Sequence, residues 1–375
     1  MTGGARFTLW GDLRAEVRVQ RDLALVAGDV RRRLGGALRA LLLLGGYARG
    51  EGGVVLRDGL PAPFNDYDFV VVLAPGAVGR IDLAECEREL SEQIGVDVDL
   101  FPLAEDRLGR VPETLLWLDA SLGGARLVEG DPRVLGRLRR LSPRDVPLEE
   151  AGRLLANRAV GLALSNLEPV EGNEGRLARH GHKAALACGD AVLLAAARYG
   201  RNVTERLQEL ERLVGAPRVS AELVGRYVDA ARFRERPDLW RPAGGDLVGW
   251  YREVREWVAR WHLDYENWRV GAPRDPADFA RWDDRLYPRL PDVRPFGAVA
   301  SAVRLARAGA APLWPWVGHP RERLARIGVA LAYGIERADC LAAAARLLGM
   351  ASLGSDPVAW SAAHARVERL ARLAG

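Results

Sequence analysis

Over the first 130 residues, short apolar runs alternate with stretches of helical period. An amphipathic segment from about Leu13 to Arg39 leads into apolar Ala40–Leu44, a glycine-rich segment, and apolar Tyr67–Leu73. Leu83–Ile94 has the charge pattern of a solvated helix, and Val96–Leu100 (VDVDL) alternates like a strand with one polar face. A further helix and strand are predicted in PETLLWLDASLGGARLVEGD, after which Gly130-Asp131-Pro132 turns the chain outward. Beyond Pro147 the strand signals fade. Helical period then covers Leu148–Asn166, Gly175–Tyr199, Val203–Val214, Ala221–Arg234, Leu247–Val270 and several stretches between Gly297 and Leu373. The pattern predicts an α+β protein, with a mixed sheet and flanking helices in residues 1–135 and a large all-α region in 136–375. Pro/Gly clusters at Arg241–Gly245 and Gly271–Pro276 suggest a subdivision of the helical region near 241–276.

Composition narrows the function classes. Hydrophobic residues make up 49% and charged residues 28%, with signs interspersed, which excludes dominant disorder. A net charge of +4 from 54 basic and 50 acidic residues gives no field that would make nucleic acid or an anionic membrane the obligatory partner. Cys86, Cys188 and Cys340 are far apart and form no CxxC pair, so a disulfide framework and a zinc ribbon are both unexpected, and a reducing cytoplasm is the expected location. No segment has signal-peptide form or the roughly 18 apolar residues of a membrane span. Every basic residue but Lys183 is arginine, a bias that makes the surviving lysine worth attention.

The segment with chemical content is LLLLGGYARGEGGVVLRDGLPAPFNDYDFVVVL, Leu41–Leu73. Asp66 and Asp68 alternate with Tyr67 and Phe69, so on a strand their carboxylates leave one face about 7 Å apart. Aspartate is unfavourable in strands, and a like-charged pair on one face repels unless a cation lies between them. Mg²⁺, which prefers hard oxygen ligands and is commonly held by one or two carboxylates plus substrate phosphates, fits that requirement. Asp97 and Asp99 repeat the pattern on a neighbouring strand. Gly45-Gly46 closes the preceding apolar strand, Gly50, Gly52 and Gly53 follow, and backbone amides free of Cβ obstruction can approach a phosphate chain. Arg49 offers a bidentate donor for phosphate, or else pairs with Glu51 at the surface.

A strand ending in Gly-Gly, a polar loop, Asp-x-Asp on the next strand and a further Asp on a later strand resembles the DNA polymerase β-like nucleotidyltransferase superfamily. The likeness is close over about 60 residues and looser over the first 130. It implies that Asp66 and Asp68 hold two Mg²⁺ (or Mn²⁺) ions, with Asp97 as the best match to the third carboxylate and Asp99 as its substitute. It also implies that Gly45 and Gly46 contact the phosphates of a nucleoside triphosphate, which the enzyme transfers as a monophosphate to a hydroxyl acceptor on a small molecule, protein or RNA. Two departures are visible: Gly46 stands where serine is common, and 19 residues separate Gly46 from Asp66, leaving a loop, Val54–Phe64, without a role.

In the helical region Arg176, Arg179 and Lys183 share a face at i, i+3, i+7, and the resemblance implies that Lys183 reaches the triphosphate. The alternative is a solvated face. Arg176-x5-His182 loosely matches the Arg-x(4–6)-His pattern of helical HEPN ribonucleases, against which a surface or capping histidine is the simpler reading. Trp250, Trp257, Trp261 and Trp268 fall on one helix face, a stripe that more often packs between helices than stacks on ligands. Rival functions are a nucleotide-binding or interaction protein that keeps the fold without turnover, and a toxin–antitoxin component. An oligomer is compatible with all of them.

Overall fold

The first helix shows how the sheet gains its cover. Asp12 accepts hydrogen bonds from the amides of Arg14 and Ala15 and so caps α1 (Leu13–Leu34), which ends at Gly35 with three arginines in its last turn, both favourable to the helix dipole. Its buried stripe of Val19, Leu23, Val26 and Val30 packs on strands β1 (Leu38–Leu43) and β4 (Tyr67–Leu73), through Leu41, Leu43, Tyr67, Phe69, Val71 and Leu73. The computed structural model describes residues 6–78, 80–167, 172–271, 275–281, 303, 320–353 and 357–374.

β1 and β4 are almost wholly buried and apolar because both lie inside a four-stranded sheet. Its order is β5-β4-β1-β6, with β5 at Val98–Ala104 and β6 at Arg126–Gly130. β4 and β5 run parallel, joined through helix α3 (Ala84–Ile94), while β1 is antiparallel to both β4 and β6. The sheet is therefore mixed, and it lies near the N-terminus of a chain otherwise rich in helices. Since α1 and α3 bury the face of Tyr67, Phe69, Val98 and Leu100, alternation sends Asp68 and Asp99 to the opposite face.

Val54–Phe64, expected as a loop, contains a β-hairpin of β2 (Val54–Arg57) and β3 (Leu60–Pro63). Asp58 and Gly59 both have positive φ, +53° and +75°, the conformation of a two-residue type I′ turn. Counted outward from that turn, Pro61 and Pro63 face Leu56 and Val54 at the pairs that exchange no backbone hydrogen bonds, so their missing N–H groups cost nothing.

The described residues divide into two compact units. The first takes residues 1–147 and 193–240, and so includes α8 (Val203–Arg212) and α9 (Ala221–Glu235); the second takes 148–192 and 241–375. Between β5 and residue 147 the first unit also has the one-turn helices α4 (Leu115–Asp119) and α5 (Arg133–Arg137).

In the second unit α6 (Leu148–Asn166) meets α12 (Pro320–Tyr333) at close range: a Cβ on Gly328 would lie 2.9 Å from the backbone nitrogen of Val160. Helix α10 (Leu247–Val270) is tied to α6 by Tyr251, whose hydroxyl donates to the Leu162 carbonyl at 3.0 Å, and by Tyr265, which donates to that of Leu148 at 2.8 Å. Helices α7 (Glu174–Ala195), α11 (Pro276–Arg281), α13 (Ala338–Leu348) and α14 (Pro357–Ala374) complete the described helices. No helix among the described residues is long and apolar enough to cross a membrane.

Candidate metal centre

Parallel pairing of β4 with β5 sets Asp68 beside Asp99 in register, and Asp66 lies two residues before Asp68, just ahead of the strand. One carboxylate oxygen from each of Asp66, Asp68 and Asp99 lies within 4.8 Å of the others, with Asp66 and Asp68 half-buried and Asp99 exposed. Asp97 is not a member of this group. It precedes β5, its side chain is exposed, and its carbonyl accepts the Tyr67 amide at 2.9 Å. The third carboxylate brought to the pair is thus the one at 99, whereas the likeness to the superfamily favours 97.

The donor set suits a hard divalent cation. Ligand oxygens at about 2.1 Å from Mg²⁺ or Mn²⁺ lie no more than about 4.2 Å apart, so the three groups need to close by only a fraction of an ångström. Their support is rigid: the Leu44 amide donates to the Asp68 carbonyl at 2.8 Å, and the Gly53 amide to the Asn65 side chain at 3.1 Å. Tyr47, fully buried, joins the two segments, its hydroxyl donating to the Gly53 carbonyl at 2.9 Å and accepting the Phe64 amide at 3.2 Å. Burial pushes the Tyr47 phenol far above its ordinary range, so it serves as a fixed strut.

Gly45 and Gly46 open the one-turn helix α2 (Gly45–Ala48) at the end of β1, where their amides have no intrahelical carbonyl to bond. Gly45 has φ +71°, and a Cβ there would lie 2.2 Å from Oδ2 of Asp68. Gly45→Ala is expected to push that carboxylate aside and weaken Mn²⁺ binding at least about tenfold, the worth of one carboxylate contact. Gly59→Ala adds a Cβ at a similar φ into open space; it should lose about 1–2 kcal/mol of stability to backbone strain alone and keep its Mn²⁺ affinity. Paired titrations of the two variants, monitored by electron paramagnetic resonance of free Mn²⁺, test this.

The other glycines do something else. The amides of Gly50, Gly52 and Gly53 bond to the Tyr47 carbonyl, the Phe7 carbonyl and the Asn65 side chain, so they are not open to a phosphate. Gly52 gives room to the Tyr47 ring, which a Cβ would meet at 2.1 Å. Arg49, expected on the triphosphate, is largely buried and paired with Glu51 at 3.0 Å and Asp119 at 2.6 Å. Burial opposes its charge, but Asp119 and Glu51 outweigh that and raise its pKa.

Glu51 itself anchors a buried ion cluster; its pair with Arg49, one of the two alternatives expected for that arginine, forms in the interior rather than at the surface. Only 1% exposed, it meets Arg49, Arg206 of α8 at 3.3 Å and Arg234 of α9 at 3.2 Å, and it accepts the Val203 amide. Burial would raise its pKa, yet Arg234, Arg49 and Arg206 together hold it at about 2. Arg234 also donates to the Glu51 carbonyl at 3.1 Å, and its Nη2 lies 2.6 Å from where a Cβ on Gly46 would stand. A guanidinium therefore flanks the glycine turn, supplied by a residue with no motif around it. The one available signal was on α8, where Arg206 lies between Val203 and Leu210 on the apolar face.

Lys183 lies half-buried on α7 in the second unit. His182 is neither on the surface nor a cap: it is buried, packs on Trp250 with ring centroids 4.6 Å apart, and is held by desolvation at a pKa of about 3. In the tryptophan stripe Trp257 is buried, whereas Trp261 stacks on Tyr265 at 5.8 Å, and Trp268 is exposed. No protein-family model, curated protein or solved structure matches the chain.

Proposed function

We propose that the chain is a metal-dependent nucleotidyltransferase, with the nucleotidyltransferase fold in its first unit, which moves a nucleoside monophosphate from an NTP to a hydroxyl acceptor and releases pyrophosphate. The observation that carries this reading is the convergence of Asp66, Asp68 and Asp99 beside the turn at Gly45. Asp66 and Asp68 would hold Mg²⁺ or Mn²⁺. Bound there, the cations would neutralise the triphosphate and stabilise charge on the entering and leaving oxygens. Asp99, level with Asp68, would orient the acceptor hydroxyl and take its proton, with exposed Asp97 as the substitute base. The Gly45 and Gly46 amides would hold phosphate oxygens. A cytoplasmic setting supplies both nucleotide and Mg²⁺.

The test is incubation with each α-labelled NTP, Mg²⁺ or Mn²⁺ and cell extract, comparing wild type with Asp66→Ala/Asp68→Ala. Label on a small molecule, protein or RNA with the wild type alone supports the reading and identifies the acceptor class. Equal labelling by both proteins overturns the site. Nucleotide binding without pyrophosphate release under every acceptor supports the rival, a nucleotide-binding protein without turnover.

A further inference from the structure

A cavity of about 500 Å³ lies within the first unit, inside the roughly 300–1,000 Å³ typical of small-molecule sites. Its walls come from the segment Ala120–Ala125 before β6, from Leu135 and Leu138, and from Arg139, Arg140 and Arg201. Three arginines line it, and no acidic residue does among the described residues. Arg139 is paired with Glu113 at 2.6 Å, and Arg201 with Glu205 at 2.7 Å. Arg140 is exposed and has no ion-pair partner among the described residues, so the cavity keeps an excess of positive charge. A cation without a counter-charge beside such a space attracts an anion into it. The rest of the wall holds Ser121 and an apolar part made by Leu122, Leu138 and a 36% exposed Leu135.

Topology places this cavity at the same end of the sheet as the acids. β6 begins at Arg126 directly after the lining segment, and Arg126 is in register with Leu43, two residues before Gly45. The geometry points to a binding site for a small organic phosphate: its oxyanion meets Arg140 and Arg201, and its apolar body lies on Leu135 and Leu138. Guanidinium forks match phosphate oxygens in pairs, and the leucines distinguish an organic phosphate from the free ion. Binding stands independently of the metal centre; the role of such a ligand as the nucleotide acceptor rests on the proposed transferase reading.

Calorimetric titration of the full chain with phenyl phosphate, in buffer without divalent cations, tests the assignment. The wild type is expected to show saturable one-to-one binding. Arg140→Ala, which removes an exposed side chain and so leaves folding intact, should weaken it about tenfold, the worth of one charge-assisted hydrogen bond. Arg140→Ala/Arg201→Ala should weaken it further. Inorganic phosphate and benzoate should each bind more weakly than phenyl phosphate, and Leu135→Ser should affect phenyl phosphate but not inorganic phosphate. Asp66→Asn/Asp68→Asn should bind as the wild type does, so a failed transfer assay leaves this result readable. Absence of saturable binding, equal binding by the arginine variants, benzoate binding as tight as phenyl phosphate, or loss of binding in the aspartate variant would each overturn it.

Discussion

Added Mn²⁺ is expected to raise the melting temperature of the wild-type protein and to leave that of Asp66→Asn/Asp68→Asn unchanged. A ligand that binds only the folded state stabilises it by about 2.7 kcal/mol at a hundredfold excess over its dissociation constant, or several degrees for a unit of this size. Asparagine keeps the shape of both side chains and removes the charges that make them ligands for a hard cation. Several kcal/mol of transition-state stabilisation disappear with the cation, so any nucleotide transfer should fall about a thousandfold or more. The two readouts are separable. A variant with a flat Mn²⁺ response and undiminished transfer would show that the chemistry happens elsewhere, and a wild type with no Mn²⁺ response would show the acids to be a solvated strand end.

The largest stability effect should come from Glu51→Gln. The substitution is nearly isosteric, but it leaves Arg49, Arg206 and Arg234 facing one another without the carboxylate they share. Breaking a buried ion pair from one side costs about 3–5 kcal/mol, because the remaining charges lose their compensation without regaining water. Urea unfolding followed by circular dichroism reads this directly, and a loss below about 1 kcal/mol would mean that water reaches the cluster.

The pH dependence gives the same group a second signature. The folded pKa of Glu51, about 2, lies below its ordinary 4.5, so its stabilising contribution is complete above pH 4.5 and is lost as the pH falls toward 2. The shift corresponds to roughly 3 kcal/mol. His180, His182 and His262, each held near 3 by burial, also favour the folded state above their ordinary 6.5 and begin to lose that contribution at a higher pH than Glu51 does. The difference between wild type and Glu51→Gln isolates the glutamate, and that difference should shrink only below pH 4.5.

Much of this architecture is legible from local pattern. The predicted bounds of the strand Tyr67–Leu73 and of the helices Leu148–Asn166 and Leu247–Val270 coincide with the observed ones. For the last of these the reason is visible: Asp246 caps its first turn, and Gly271, at φ +76°, stops it. The hairpin is masked in the sequence because Pro61 and Pro63 argue against a strand, although Asp58-Gly59 is the dipeptide a type I′ turn favours.

At the candidate site, Asp-x-Asp beside a glycine turn is a local signal, and both members lie in the acidic group. Choosing between Asp97 and Asp99 is not local. A two-residue period makes them equivalent, and only the pairing of β5 with β4 decides which stands level with Asp68. Arg234 is harder still to read, since its partner is 183 residues away in the sequence and the contact depends on how the chain returns to the first unit.

That return has a consequence for biosynthesis. A ribosome adding about 5–20 residues per second needs roughly 10–40 seconds to travel from the codon for Glu51 to that for Arg234. Throughout that interval the nascent chain carries a glutamate that has Arg49 beside it but lacks Arg234, the strongest of its counter-charges. The ion cluster therefore cannot be completed until long after its glutamate is translated, and a ribosome stalled before residue 234 should display an N-terminal region that proteases still cut.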